Sequence, residues 1–118
     1  MELQKALIVV GADKDEVLAD KVGEEIGKIV KKAKKEKWVV LKPEKEKGFE
    51  ELEKMLDSKN VDEIFACGFI ENDLLHKFAG WGLRVVVLKD ACREITDKDE
   101  KELLAKGITV TTVEKIIE

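Results

Sequence analysis

The sequence predicts a three-layer α/β fold in which helices cover both faces of a parallel β-sheet. Two segments, residues 64–67 and 85–88, are uninterrupted apolar runs. Such runs are typical of parallel strands that are buried on both faces. Strand-like and helix-like segments also alternate along the chain without a repeat or a low-complexity linker. The length of 118 residues and the 44% hydrophobic content suit one domain, which we assign to residues 1–118.

The first half of the chain predicts two strands and two helices. An apolar strand covers residues 6–10, and Asp13 then opens a capping box at the start of a long amphipathic helix. Residues 38–41 form the second strand, which ends before Pro43 because proline cannot donate a hydrogen bond to a sheet. Apolar residues at helical spacing over 49–56 then predict the second helix.

The second half predicts three more strands, over residues 64–67, 84–88 and 108–112. Asn72 or Asp73 caps a third helix between the first two of these strands. Thr96 opens a second capping box, and the helix that follows it stops at Gly107. The tail over 113–118 is expected to form one last helical turn.

Right-handed crossovers leave few ways to connect these elements, and we expect a Rossmann-like sheet with strand order 2-1-3-4-5. Ligands of such sheets bind beyond the carboxyl ends of the strands, where the strand order reverses. Here that point lies between the first and third strands. Gly68 is expected there because it lets two backbone segments approach closely. The predicted ligand-binding residues are Gly68, Phe69, Glu71, Asn72, Asp73 and Asp90.

Composition and motifs exclude several classes of function. Charged residues make up 41% of the chain, but the net charge of −4 disfavours nucleic-acid binding. No apolar run approaches the roughly 20 residues that span a bilayer, and the chain shows no apolar leader, so we expect a cytoplasmic protein that does not bind membranes. Its many Glu and Lys residues, with few Asn and Gln, resemble a hyperthermophile's surface.

The chain also lacks the motifs of common cofactor sites. No GxGxxG follows the first strand and no P-loop is present, so we expect no cofactor. One histidine and two distant cysteines offer no ligand cluster, so we expect no metal site. Trp81 is interpreted as a packing residue. The edge strands of a small sheet favour a homo-oligomer, which pairs the fifth strand or the helix containing Phe49 across a two-fold axis.

Four segments resemble the isochorismatase-like cysteine hydrolases, a superfamily that includes nicotinamidases and N-carbamoyl amidohydrolases. The most specific ones read CGFIEN over 67–72 and AGWGLRVVVLKDAC over 79–92, and the strands over 5–10 and 108–112 fit as well. The chain is much shorter than typical members. The missing length falls around residues 42–49, where the family carries long active-site loops.

The resemblance implies a Cys-Asp-Lys mechanism, but two of the three catalytic positions are changed. The aspartate position falls on Gly11. The cysteine position falls on Leu74, or on Asp73 with a one-residue slip, and the lysine position falls near Lys42. Glycine cannot take a proton and leucine cannot form an acyl intermediate. We therefore expect a catalytically degenerate domain that binds a small molecule or serves in assembly.

One alternative keeps the hydrolase activity on an amide or a vinyl ether. In it Cys67 or Cys92 replaces the family's nucleophile, and Asp13 and Lys42 assist. Each of these four residues also has a structural interpretation. Asp13 is a helix cap, Lys42 an exposed lysine, and both cysteines are small buried apolar side chains.

Overall fold

The structure is a computed structural model that describes residues 4–10, 20–42, 49–68, 72–92 and 95–117. The elements in chain order are β1 (Gln4–Val10), α1 (Asp20–Lys35), β2 (Val39–Leu41), α2 (Phe49–Ser58), β3 (Val61–Gly68), α3 (Asn72–Ala79), β4 (Arg84–Cys92), α4 (Asp97–Ala105), β5 (Thr109–Thr111) and α5 (Val113–Ile117). None of the described helices is both long and apolar enough to cross a membrane.

The five strands form one parallel sheet in the order β2-β1-β3-β4-β5, which confirms the predicted topology. The chain steps from β1 to β2 in one direction and from β3 to β5 in the other. Right-handed crossovers then place the connecting helices on opposite faces of the sheet. In agreement, α1 packs against α5, and α3 packs against α4. The result is the predicted arrangement of three layers.

The core follows the three central strands. Consecutive residues of β1, β3 and β4 are buried, from Ala6 to Val10, from Ile64 to Gly68 and from Val85 to Leu88. Neighbouring side chains of a strand point to opposite faces of a sheet, so this burial shows that both faces are covered. The uninterrupted apolar runs therefore predicted the buried strands correctly. By contrast, the edge strands β2 and β5 have three residues each.

Two strand boundaries differ from the sequence prediction by more than two residues. β3 begins at Val61, three residues before the apolar run. β4 continues to Cys92, where we expected it to end at Leu88 and a polar turn to follow. Pairing with β3 shifts register and resumes at Gly68 and Cys92. This pairing keeps Lys89 and Asp90 inside the strand although both are charged.

The predicted capping box of α4 is present. The Asp99 amide donates to Thr96 Oγ1 at 3.2 Å, and the Thr96 amide donates to Asp99 Oδ2 at 3.1 Å. The helix ends at Ala105, and Gly107 then adopts a φ of +83°, which favours glycine. The last helical turn is also present, as α5. The capping box at Asp13 lies outside the described residues, and the described part of α1 begins at Asp20.

Candidate functional site at the carboxyl edge of the sheet

Three strands end side by side at the carboxyl edge of the sheet. Val10 of β1 pairs with Gly68 of β3, and Gly68 pairs with Cys92 of β4. Strands of a sheet lie about 4.8 Å apart, so these three ends span about 10 Å. The strand order reverses between β1 and β3, which makes this edge the expected ligand-binding position of the fold.

Gly68 is required at this edge by its backbone. Its φ is +93°, a conformation that other residues rarely adopt. A Cβ atom at this position would lie 2.4 Å from the carbonyl oxygen of Val10 and 3.0 Å from its amide nitrogen. Both the conformation and the space thus demand glycine, in agreement with the predicted close approach of two backbone segments.

Cys67 lies fully inside the sheet. Its side chain is 0% exposed, and its Sγ donates to the carbonyl oxygen of Ile8 at 3.7 Å. Burial raises the pKa of the Cys67 thiol well above its usual value of 9.0, and the nearby Cys92 and Asp90 raise it further. Burial disfavours the charged thiolate because the interior solvates it poorly. Cys67 is therefore a protonated apolar side chain at neutral pH.

Cys92 is nearer to the edge, but like Cys67 it is buried and its thiol has a raised pKa. Its side chain is 8% exposed, and its Sγ donates to the carbonyl oxygen of Ala66 at 3.8 Å. Burial raises the pKa of Cys92 from 9.0 to about 12, and the negative charge of Asp90 adds to this rise, whereas a hydrogen bond with the Gly68 backbone opposes it. A thiolate at either cysteine is strongly disfavoured.

Asp90 connects β4 to α5. Its half-buried carboxylate accepts a hydrogen bond from the backbone amide of Val113, the first residue of α5, at 2.9 Å. A carboxylate at this place interacts favourably with the positive end of a helix. The neighbouring Lys89 forms an exposed ion pair with Glu100 at 3.5 Å. Asp90 thus has a structural partner in addition to its predicted ligand-binding role.

Lys42 lies at the same edge but on the far side of β1. It follows β2 directly and is exposed. β2 pairs with β1, and β1 in turn pairs with β3, so β1 separates Lys42 from Cys67 and Gly68. The edge therefore brings together Cys67, Gly68, Asp90 and Cys92, but it does not place Lys42 on a strand adjacent to them.

Several predicted site residues cannot be compared with the structure. Gly11, Asp13, Phe69 and Glu71 lie outside the described residues. Asn72, Asp73 and Leu74 form the first turn of α3, but their side chains also lie outside the described part of the chain. The assignment of the family's base and nucleophile positions to Gly11 and Leu74 stays a prediction.

A pocket that the sequence did not predict lies at the opposite, amino edge of the sheet. It lies between α2 and the turn that follows α3, and Trp81 and Leu83 form part of its wall. The sequence contained a weak signal for it, since Glu53 and Asp57 lie one turn apart on α2. Trp81 packs against Phe78, with a distance of 5.0 Å between ring centroids.

A comparison with solved structures identifies the fold. The crystal structure of a pyrazinamidase of Pyrococcus horikoshii in complex with zinc superposes with a TM-score of 0.69 over 92% of this chain and 99% of that chain. This chain shares the fold of that pyrazinamidase. The fold-level resemblance inferred from the sequence is thereby confirmed. The two sequences are 17% identical, so the likeness concerns the fold alone. No family model matches the sequence, and no curated protein matches it either.

The zinc of that pyrazinamidase has no counterpart among the ligand groups that the structure describes. Within the described ranges, no group of three or more His, Cys, Asp or Glu side chains could hold a metal ion. The lone histidine, His76, lies half-buried in α3. Zinc sites in proteins use three or four such ligands. The described residues therefore do not fit this metal.

Proposed function

We propose that this chain is a non-hydrolytic, isochorismatase-like domain that binds a small molecule or a partner subunit at the carboxyl edge of its sheet. The burial of both thiols carries this proposal. By resemblance, the family's reaction requires a cysteine thiolate that attacks the substrate. With a pKa of about 12, the thiol of Cys92 is protonated at pH 7.

The surroundings of the thiols also oppose a relocated nucleophile. Activated cysteines lie near a cation, a metal ion or the N-terminus of a helix. Among the described residues, the charged group that acts on both thiols is Asp90, and a negative charge raises the pKa of a thiol. Each Sγ also donates to a strand carbonyl, which favours the protonated form.

Thiol labelling distinguishes this proposal from the alternative of a cysteine hydrolase. We expect Cys67 and Cys92 to resist a chromogenic disulfide reagent at pH 7 in the folded protein and to react stoichiometrically in 6 M guanidinium. Cys67→Ala and Cys92→Ala assign any signal to one residue. Rapid labelling of one thiol in the folded state would favour the relocated nucleophile.

Activity assays test the same proposal directly. Nicotinamide, pyrazinamide, an N-carbamoyl amino acid and a vinyl ether represent the substrates of the fold family's hydrolases. We expect no turnover of any of them above the rate without protein. Turnover that disappears in Cys67→Ala or Cys92→Ala would contradict the proposal and establish the alternative. Binding of one of these compounds without turnover would identify the ligand class.

We also propose that the chain forms a homo-oligomer through an edge of the sheet. β5 is an edge strand of three residues, and exposed strand edges readily pair with a second chain. Light scattering should give a mass above the 13.3 kDa of one chain. A mass of one chain across a hundredfold range of concentration would contradict oligomerisation and leave the small molecule as the ligand.

A further inference from the structure

The amino edge of the sheet contains a pocket that is far from the carboxyl edge. Its wall includes Val61, the first residue of β3, and Leu83, which precedes β4. The helices run antiparallel to the strands, so the C-terminal ends of α2 and α3 reach the same edge. The pocket has a volume of about 400 Å³. Sites for small molecules commonly measure about 300–1,000 Å³.

The pocket has an apolar, partly aromatic wall. Leu56 and Val61 are buried, and Leu83 and Trp81 are half-buried. The indole of Trp81 is held by the ring of Phe78, at an angle of 46° between the two planes. This contact orients the indole as part of the pocket wall before any ligand binds. Among aromatic side chains, tryptophan attracts cations most strongly.

The charged rim of the pocket is on balance negative. Glu53 and Asp57 are exposed and lie one turn apart on α2, and Lys54 lies between them. No ion pair or side-chain hydrogen bond among the described residues engages any of the three. The last turn of α2 contains no basic residue, and Lys59 follows the helix directly.

From these observations we propose that the amino-edge pocket binds a small organic cation with an apolar body. The apolar body packs on Leu56, Val61 and Leu83. The ammonium group lies near the indole of Trp81 and the carboxylates of Glu53 and Asp57. An anion of the same size is repelled by both carboxylates. This site is independent of the proposed function at the carboxyl edge.

Three probes of matched size test the charge preference. 2-Phenylethylammonium is the cation, 2-phenylethanol is its neutral counterpart, and phenylacetate is the anion. In a Trp38→Phe background, Trp81 is the sole fluorophore, and phenylalanine preserves the ring that stacks on Phe65. We expect saturable quenching by the cation with a dissociation constant of about 1 mM, as befits so small a ligand. The alcohol should bind at least threefold more weakly and phenylacetate not measurably.

Charge-neutralising variants locate the cation. We expect Asp57→Asn and Glu53→Gln each to weaken binding of 2-phenylethylammonium about two- to fivefold, the range of exposed charge pairs. Glu114→Gln is the matched control because Glu114 is also exposed but lies on α5, in the other helix layer. It should leave the affinity unchanged. Both substitutions at the pocket are on the surface and preserve side-chain size, so folding is maintained.

Four results would overturn the inference. Equal affinity for the three probes would show that charge plays no part, and an absence of saturation up to 20 mM would show that the pocket does not bind this class. Equal losses in Asp57→Asn and Glu114→Gln would place the cation elsewhere. Changes in amide NMR chemical shifts that 2-phenylethylammonium causes only at the carboxyl edge would also place the cation elsewhere. None of these outcomes bears on the thiol and turnover tests.

Discussion

Gly68 joins the core of the sheet to its candidate functional edge. Its backbone has a φ of +93°, and Val10 leaves no room for a side chain. Substitutions at two other glycines can distinguish the effect of the positive φ from the effect of the contact with Val10. Gly82 has a φ of +79° but open space around its Cβ position, and Gly27 lies in α1 with nothing within 4 Å. The three positions form a series in which strain and contact can be measured apart.

We predict a graded effect of alanine substitution at these glycines on the free energy of unfolding. Gly27→Ala should stabilise by about 0.5–1 kcal/mol because alanine favours a helix over glycine. Gly82→Ala should destabilise by about 1–2 kcal/mol through its positive φ alone. Gly68→Ala should cost more than Gly82→Ala, since it adds the contact with Val10. Urea unfolding measures all three. Equal losses at Gly68 and Gly82 would refute the contact.

The sequence predicted the close backbone approach at Gly68 and the burial of both cysteines, but it did not predict the hydrogen-bond partner of Asp90. A glycine after an apolar strand signals a tight approach, and a cysteine next to the end of an apolar strand signals burial. Both signals are local. The amide that Asp90 binds belongs to Val113, 23 residues later. Such a contact exists only after β4 and α5 have packed together, so no local pattern announces it.

At the scale of single elements, the capping box of α4 was predicted from a local sequence pattern and is present in the structure. Thr96→Ala removes the oxygen that accepts from the Asp99 amide. We predict a loss of about 1 kcal/mol in the free energy of unfolding, the usual contribution of an N-cap side chain. Thr96→Ser keeps the hydroxyl and should stay within about 0.3 kcal/mol of the wild type. Urea titration would reject the cap if both variants behaved alike.

The cap of α5 is supplied by a distant strand. Asp90→Ala should destabilise the protein by about 1–2 kcal/mol because the Val113 amide then loses a charged acceptor. Lys89→Ala is the matched control, since it removes only an exposed ion pair, whose contribution is at most about 1 kcal/mol. Urea unfolding in 0.1 M salt compares the two. A larger loss at Lys89 than at Asp90 would contradict the assigned role.

The boundaries of β4 show why elements are easier to predict than their ends. Lys89 and Asp90 have the composition of a turn, and the sequence prediction ended the strand before them. In the structure, β4 pairs again with β3 at Gly68 and Cys92 after a register shift. This pairing with β3 is a tertiary interaction, and it outweighs the preference of Lys89 and Asp90 for a turn.

At the scale of the whole molecule, the topology could be predicted because handedness restricts it. Alternating strands and helices with right-handed crossovers leave few orders, and the order 2-1-3-4-5 is present. The amino-edge pocket could not be predicted in the same way. Its wall combines α2, the start of β3 and the turn around Trp81. These segments meet only through helix packing, which the sequence pattern does not specify.

The stability of the whole molecule should also report on the two buried thiols. Burial raises the pKa of Cys92 to about 12 and that of Cys67 well above 9.0. In the unfolded chain both thiols ionise near pH 8.5–9. Above that pH the unfolded state releases protons that the folded state retains. Stability is therefore fully present below about pH 8.5 and decreases as the pH rises towards the folded-state pKa values.

We predict that the free energy of unfolding of the wild type falls between pH 8 and pH 10, by on the order of 1–2 kcal/mol for Cys92 and in the same direction for Cys67. The Cys67→Ala/Cys92→Ala double variant should lack this decrease, and Cys92→Ala alone should show only the part that Cys67 contributes. The upper limit of pH 10 keeps most lysines charged in both states. Chemical unfolding at half-unit pH intervals measures the difference between wild type and variants. The change of that difference with pH excludes the pH-independent cost of removing each sulfur. Parallel curves for the wild type and the double variant would show that both folded-state thiols ionise as readily as in the unfolded chain, and the relocated nucleophile would then regain its support.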